Sequence, residues 1–288
     1  MMNVDRQRSR APFAASALAL ACWALPLSLR AQDPKAIVAA AVQNELKADR
    51  EDHSAFQYRD HDVTPDHDTL FYTVETPAGS LKKKLEDHGR VISAEERSAD
   101  DQSIERLIGD PSAQARARKD AAHDDSQAEA MLRLLPIAFV WTISNDTGKV
   151  ITLDFRPDLS YSPGTFDAEA RVLGALGGQI TVTRVDGDKG GRISSIKGTL
   201  LSDVNFGLGI FGRIHKGGSF EVQRREVAPG HWQMTVSNVH INGRALFFKS
   251  IGSDENETRT EFRVSNAKTL SQAYEILEDI HERQVLSH

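Results

Sequence analysis

From residue 138 to residue 264 the chain is a near-continuous series of short segments in which apolar and polar residues alternate, each closed by a turn signal. Such alternation puts successive side chains on opposite faces of a strand. AFVWTIS and KVITLDF flank Asn145-Asp146-Thr147-Gly148, the chemistry of a hairpin turn. A short helix is expected at 167–176, followed by strands at 179–185, 192–201, 203–214, 219–227, 231–241, 244–251 and 258–264. Connectors such as Asp186-Gly187-Asp188, Lys216-Gly217-Gly218, Pro229-Gly230 and Asn242-Gly243 suit tight turns. Consecutive strands should therefore be antiparallel neighbours.

The first half mixes the two periods. Asp33-Pro34 is an N-cap followed by proline at the first helical position. Ile37, Val38, Ala41, Val42 and Leu46 recur at helical spacing, which predicts a helix over 34–50. Strands are expected at 55–60, 69–76 and 80–87, the last (SLKKKLED) with a polar face. Ser93 and Glu96 form a capping box for a helix to about Ile108, where Gly109-Asp110-Pro111 stops it. A charged helix over 112–135 should end before Pro136, and its nearly all-polar first half reads as a solvated helix or a lid. Thr269 and Gln272 open a closing helix with Leu270, Ala273, Leu277 and Ile280 on one stripe.

The expected fold is α+β: a strongly curved antiparallel sheet, an open half-barrel of about ten strands, with helices at the N-terminus, middle and C-terminus. So many strands in one open sheet curl. An apolar helix pair from the middle of the chain would lie in the concave face.

Arg6, Arg8 and Arg10 precede the uncharged run 11–29, and Arg30-Ala31-Gln32 returns the chain to polar sequence. These are the parts of a secretory signal, with cleavage expected after Ala31 and a single periplasmic domain over 32–288. Cys22, the only cysteine, lies inside that run. Leu20-Ala21-Cys22 faintly resembles a lipidation site, but Ala19 and the continuing apolar run favour an ordinary signal residue. The mature chain would then have no thiol chemistry. It would carry 31 basic residues (35 less Arg6, Arg8, Arg10 and Arg30) against 40 acidic ones (41 less Asp5). That balance argues against nucleic-acid binding, and no further apolar run is long enough to span a membrane.

Motifs for chemistry are weak. Gly207-Leu208-Gly209-Ile210-Phe211-Gly212 has the letters of a dinucleotide loop but sits in strand-like sequence with no helix after it. Asp60-His61-Asp62 and Asp66-His67-Asp68 hold six ligand-type residues but lack a calcium-loop pattern, so an acidic turn is the favoured reading. His281-Glu282 is followed at position 285 by Val285, not the second zinc histidine. No cofactor, metal or catalytic constellation is assigned. His215, His231 and His240 are the strand histidines to test if a dispersed hydrolase site exists.

Large apolar residues remain. Trp141, Leu200, Phe206, Phe211, Trp232, Met234 and Phe247 are the candidate lining of an apolar cavity. Phe247 and Phe248 fall on opposite faces, and 206–211 is apolar on both, more than one covered face needs.

The order of these elements resembles the periplasmic lipoprotein-carrier superfamily, which includes the Lol carriers and the lipid-sensing domain of an anti-sigma-factor regulator. Ile196-Lys197-Gly198-Thr199-Leu200, Gly217-Gly218-Ser219-Phe220, Trp232 and Arg244 to Lys249 also look like exported proteins of Gram-negative bacteria. The resemblance spans most of residues 32–265 and implies a half-barrel around helices with a cavity for acyl chains. It carries over no functional residue. The leading expectation is a periplasmic lipid or lipoprotein carrier, with lipid or an acylated protein as partner. The alternatives are a ligand-free envelope protein acting through a protein partner, and the dispersed hydrolase.

Overall fold

The computed structural model describes residues 32–161, 168–186, 188–206, 212–241, 243–245 and 254–286. The segment expected to be a signal, and Phe211, Phe247 and Phe248, lie outside them.

Helix α1 (Pro34–Glu51) begins where Asp33 accepts a hydrogen bond from Lys35 N at 3.0 Å. It leads into β1 (Phe56–Val63), β2 (Asp68–Thr76), β3 (Gly79–Asp87) and the two-residue β4 (Arg90–Val91). Helix α2 (Ala94–Gly109) carries the expected capping box. There Arg90 and the Ser93 cap together hold the Glu96 carboxyl down at about 2. Helix α3 (Pro111–Ala138) follows, then β5 (Phe139–Asp146), β6 (Val150–Pro157), the short α4 (Ala168–Leu173), β7 (Leu176–Val185) and β8 (Asp188–Leu200). After β9 (Val204–Phe206) and β10 (Gly212–Ile214) come β11 (Ser219–Ala228), β12 (His231–His240), β13 (Gly243–Ala245), β14 (Asp254–Val264) and α5 (Leu270–Leu286).

Eleven strands form one antiparallel sheet in the order β4-β3-β2-β1-β14-β12-β11-β8-β7-β6-β5, and the sheet is not closed into a barrel. Helices stand at the start, middle and end of the chain, so the α+β half-barrel expectation holds. Three details differ from the sequence reading. Residues 203–214 are not one strand: β9 pairs antiparallel with β10, Phe206 opposite Gly212, and with β13 they form a separate three-stranded sheet. Gly212 opens β10, and glycine inside a strand-like run often marks such a break. Second, α3 runs through Pro136 to Ala138. A proline so near the end removes only one late helical donor, the one that would reach the Leu132 carbonyl, and the Leu135 carbonyl, near the helix end, accepts a bond from Trp141 Nε1 at 3.2 Å.

Third, the main occupant of the sheet's inner face is α1, not a helix pair from the middle. Val38, Ala41, Val42 and Leu46 are buried in one core cluster with Leu135, Ala138, Phe139, Leu153, Phe155, Ile180, Val182 and Ile193. Helix α2 buries Ile104 instead, in a second cluster with Tyr72, Val74, Leu81, Leu85, Ala273 and Leu277. That cluster lies on the opposite face, because register pairs share a face. Asp62, Glu257, Ser237, Val222, Ile196 and Ile180 are successive partners across six strands, so all point toward α1. Tyr72 and Val74 pair with Arg59 and Gln57, which have the other parity.

α1 approaches β8 very closely. A methyl group added at Gly190 would lie 2.7 Å from the Ala40 carbonyl oxygen and 2.3 Å from Asn44 Nδ2. Asn44 itself donates to Gly191 O at 3.0 Å. Gly190→Ala is expected to destabilise the fold by about 1–3 kcal/mol, the usual cost of overpacking. Urea denaturation checks it, and an unchanged midpoint would contradict this packing.

Candidate functional site

The inner face has two unlike halves. Over β5 to β8 it is apolar and filled by α1 and the last turns of α3, with Met131, Leu132 and Leu134 packed at the margin. Phe139, Trp141 and Phe155 stack together there, with ring centroids 4.7–5.9 Å apart.

Over β1, β2, β12 and β14 the same face turns polar. Asp60 is fully buried opposite Arg259 on one side and Phe71 on the other. Lys82 Nζ donates to Asp60 Oδ2 at 2.5 Å, and Arg259 Nε stands 3.8 Å from Asp60 Oδ1. Arg259 also bonds Glu257 at 2.6 Å and lies 5.2 Å over the Tyr58 ring. Burial raises the Glu257 carboxyl; the neighbouring Asp60 adds to this and Arg259 opposes it. Burial likewise pushes the Tyr58 phenol up and raises Glu75, whose carboxylate accepts from Phe56 N and Tyr58 Oη.

A buried ionic staple fixes α1 above the sheet. Glu45 accepts from Arg192 Nε at 3.1 Å, Arg192 Nη2 at 2.9 Å, Ile193 N at 2.7 Å, and Arg224. Burial alone would raise its carboxyl, but Arg192 and Arg224 overcome that and hold it below the usual range. Arg192 in turn lies 5.7 Å from the Trp232 ring centroid.

Helix α3 is the other distinctive element. Its 28 residues extend about 42 Å at 1.5 Å per residue. It touches β3, near one edge of the sheet, and β5 at the other. Residues 115–128 are exposed along their whole length, and only the final turns enter the core. No family model, curated protein or solved structure matches the chain.

The expected cavity residues fall in several places. Trp141 and Leu200 are buried in the apolar core cluster. Trp232 and Met234 are half-buried on β12, where Trp232 meets the staple and Met234 pairs with Arg224. Phe206 ends β9, with its side chain outside the described residues, as are Phe211 and Phe247 altogether.

His61, Asp62, His67 and Asp68 knit the β1–β2 connection together, whereas Asp60, expected in the same acidic turn, lies within β1 and is fully buried. His61 Nε2 lies 2.7 Å from Asp68, and His67 bonds Thr64 and sits 3.2 Å from Asp62. His231 Nδ1 stands 2.9 Å from Asp52, which caps α1, in an open cleft of about 610 Å³ with Ser54, Asn266 and Lys268. Burial pushes Asp52 up, but bonds from His231 and Ser54 bring it below its ordinary value. His215 and His240 are exposed beside Asp203 and Asp254.

Sequence reading missed Glu45 and Lys83, and put Asp60 in an acidic turn where it is buried inside the sheet. Each had a signal, because each is a charge in phase with apolar neighbours: Glu45 on the α1 stripe, Asp60 after Phe56 and Tyr58, Lys83 between Leu81 and Leu85.

Proposed function

We propose that this chain is an exported binding or carrier protein for a lipid or an acylated partner, with α3 as the lid over its apolar half. The observation that carries this reading is the placement of α3. It touches β3 near one end of the sheet and β5 at the other edge, is solvated over 115–128, and contributes only its last turns to the core. A helix with so few buried contacts opens at low free energy. An acyl chain would then replace Met131, Leu132 and Leu134 against Phe139, Trp141 and Phe155, gaining about 25 cal/mol per Å² of apolar surface covered. The basic start and uncharged run of residues 1–29 support export, with a mature chain beginning at Gln32. Among the described residues no helix is long and apolar enough to cross a membrane.

Photo-crosslinking tests the site. A fatty acid carrying a diazirine in its chain is expected to label the end of α3 and the Trp141–Phe155 region of residues 32–288. Labelling scattered over the outer face, or none, contradicts the reading. The filled apolar half favours one alternative, an envelope protein with a permanent core and a protein partner. That alternative predicts no labelling inside and cross-links to another envelope protein instead.

A further inference from the structure

A cut after Ala31 leaves Gln32 as the first residue. An amino-terminal glutamine carries its own electrophile, because its side-chain amide can close onto its α-amine as a five-membered lactam. The Gln32 amide oxygen Oε1 accepts a bond from Arg184 Nη2 at 3.3 Å. A guanidinium has only donors, so the oxygen and not the nitrogen of that amide must face it. Arg184 is itself held in place. Its Nη1 and Nη2 grip Asp146 at 2.8 and 3.0 Å, and Nη1 also bonds Gly148 O at 2.5 Å. With the bond to Gln32 these use every terminal N–H of the guanidinium, so it cannot turn away without breaking another bond. The grip keeps Asp146 ionised, its carboxyl held down at about 2. Gln32 is anchored too, since Asp33 caps α1 and Pro34 begins it.

We propose that Gln32 is a modification site: once the bond to Ala31 is cut, the new α-amine closes on the Gln32 side chain, with Arg184 as the electrophilic partner, and leaves a pyroglutamyl terminus. This rests on the export reading above, not on the carrier reading. The amine nitrogen bonds to Cδ, and the carbonyl electron pair moves onto Oε1. Arg184 already donates to that oxygen, where the negative charge develops. The carbonyl then re-forms and the Cδ–Nε2 bond breaks. Ammonia leaves with the proton that the attacking amine gives up. No oxidant, reductant or further reactant enters. In the lactam Oε1 is again a carbonyl oxygen and keeps Arg184 as its donor. Closure also removes a positive charge from beside Arg184 and from the start of α1, where the helix dipole disfavours one. The product has no free amine for an aminopeptidase, and Arg184 ties it to the β5–β6 turn.

Two measurements test it. Residues 32–288, released with a free Gln32 by a protease cut, are followed by intact mass for the loss of one ammonia. The folded protein is expected to close about fivefold faster than a synthetic peptide of residues 32–51 in the same buffer, the worth of one solvent-exposed charged contact. Arg184→Ala should bring the protein down to the peptide's rate. Asp146→Asn, which loosens the grip on the guanidinium, should slow closure as well and repeats the test should Arg184→Ala fail to fold. A protein no faster than the peptide, or a rate that survives both substitutions, overturns the proposal. The second measurement maps the first peptide of the exported protein recovered from cells. A peptide that begins at residue 32 and is lighter by one ammonia supports the proposal. The same peptide with a free amine overturns the modification and keeps the cut after Ala31. A different first residue overturns both.

Discussion

Replacing Glu45 with alanine is expected to destabilise the protein by about 3–5 kcal/mol, the loss seen when a buried ion pair is broken by removing one partner. Glu45 is 5 % exposed and is the shared acceptor of Arg192, Arg224 and Ile193 N. Its removal leaves the largely buried Arg192 without its carboxylate and frees α1 from β8 and β11. Glu45→Gln keeps shape and acceptor but not charge, so its loss should be smaller. Guanidinium unfolding checks both, and a loss for alanine under about 1 kcal/mol, the worth of a surface pair, contradicts the staple. The sign with pH follows. The folded carboxyl lies below the usual range, while the unfolded one titrates near about 4.3. Its contribution is therefore complete above that pH and fades as pH falls through the folded value. In Glu45→Gln this part of the acid sensitivity should vanish.

Lys83→Ala is the second large effect, about 2–5 kcal/mol, the usual cost of emptying the site of a large buried side chain. Lys83 is 0 % exposed on the opposite face. Its ammonium stands 2.8 Å from Asp101 of α2, bonds Glu278 of α5, and lies 5.6 Å from the Tyr274 ring centroid. One side chain thus ties β3 to two helices. Lys83→Met should cost less than alanine. It keeps the stem packed beside Leu81 and Leu85, and Asp101 and Glu278, 22 % and 44 % exposed at their side chains, regain water. Thermal melts of the two variants give the order, and a methionine variant worse than alanine would contradict this account.

Much of the frame was legible because it is written in local chemistry. Asp33, Ser93 and Thr269 start helices where expected, and turns such as Pro229-Gly230 join antiparallel neighbours. What was not legible is non-local. Nothing near residue 56 announces that β1 will pair with β14, yet that pairing joins the two halves of the sheet and creates the Asp60–Arg259 contact. Alternation alone could not tell one long strand at 203–214 from two paired short ones. The candidate site was read as apolar because large side chains are conspicuous. Its polar half depends on single charges in apolar phase, and their meaning appears only once a second strand supplies the partner.

The central claim is that the face beneath α3 receives an apolar chain. Native mass spectrometry of the protein purified without detergent addresses it most directly. A fraction of the protein should carry added mass that resolves, after denaturation, into lipid or an acylated peptide. A single bare mass, unchanged after incubation with excess lysophosphatidylethanolamine, would contradict it.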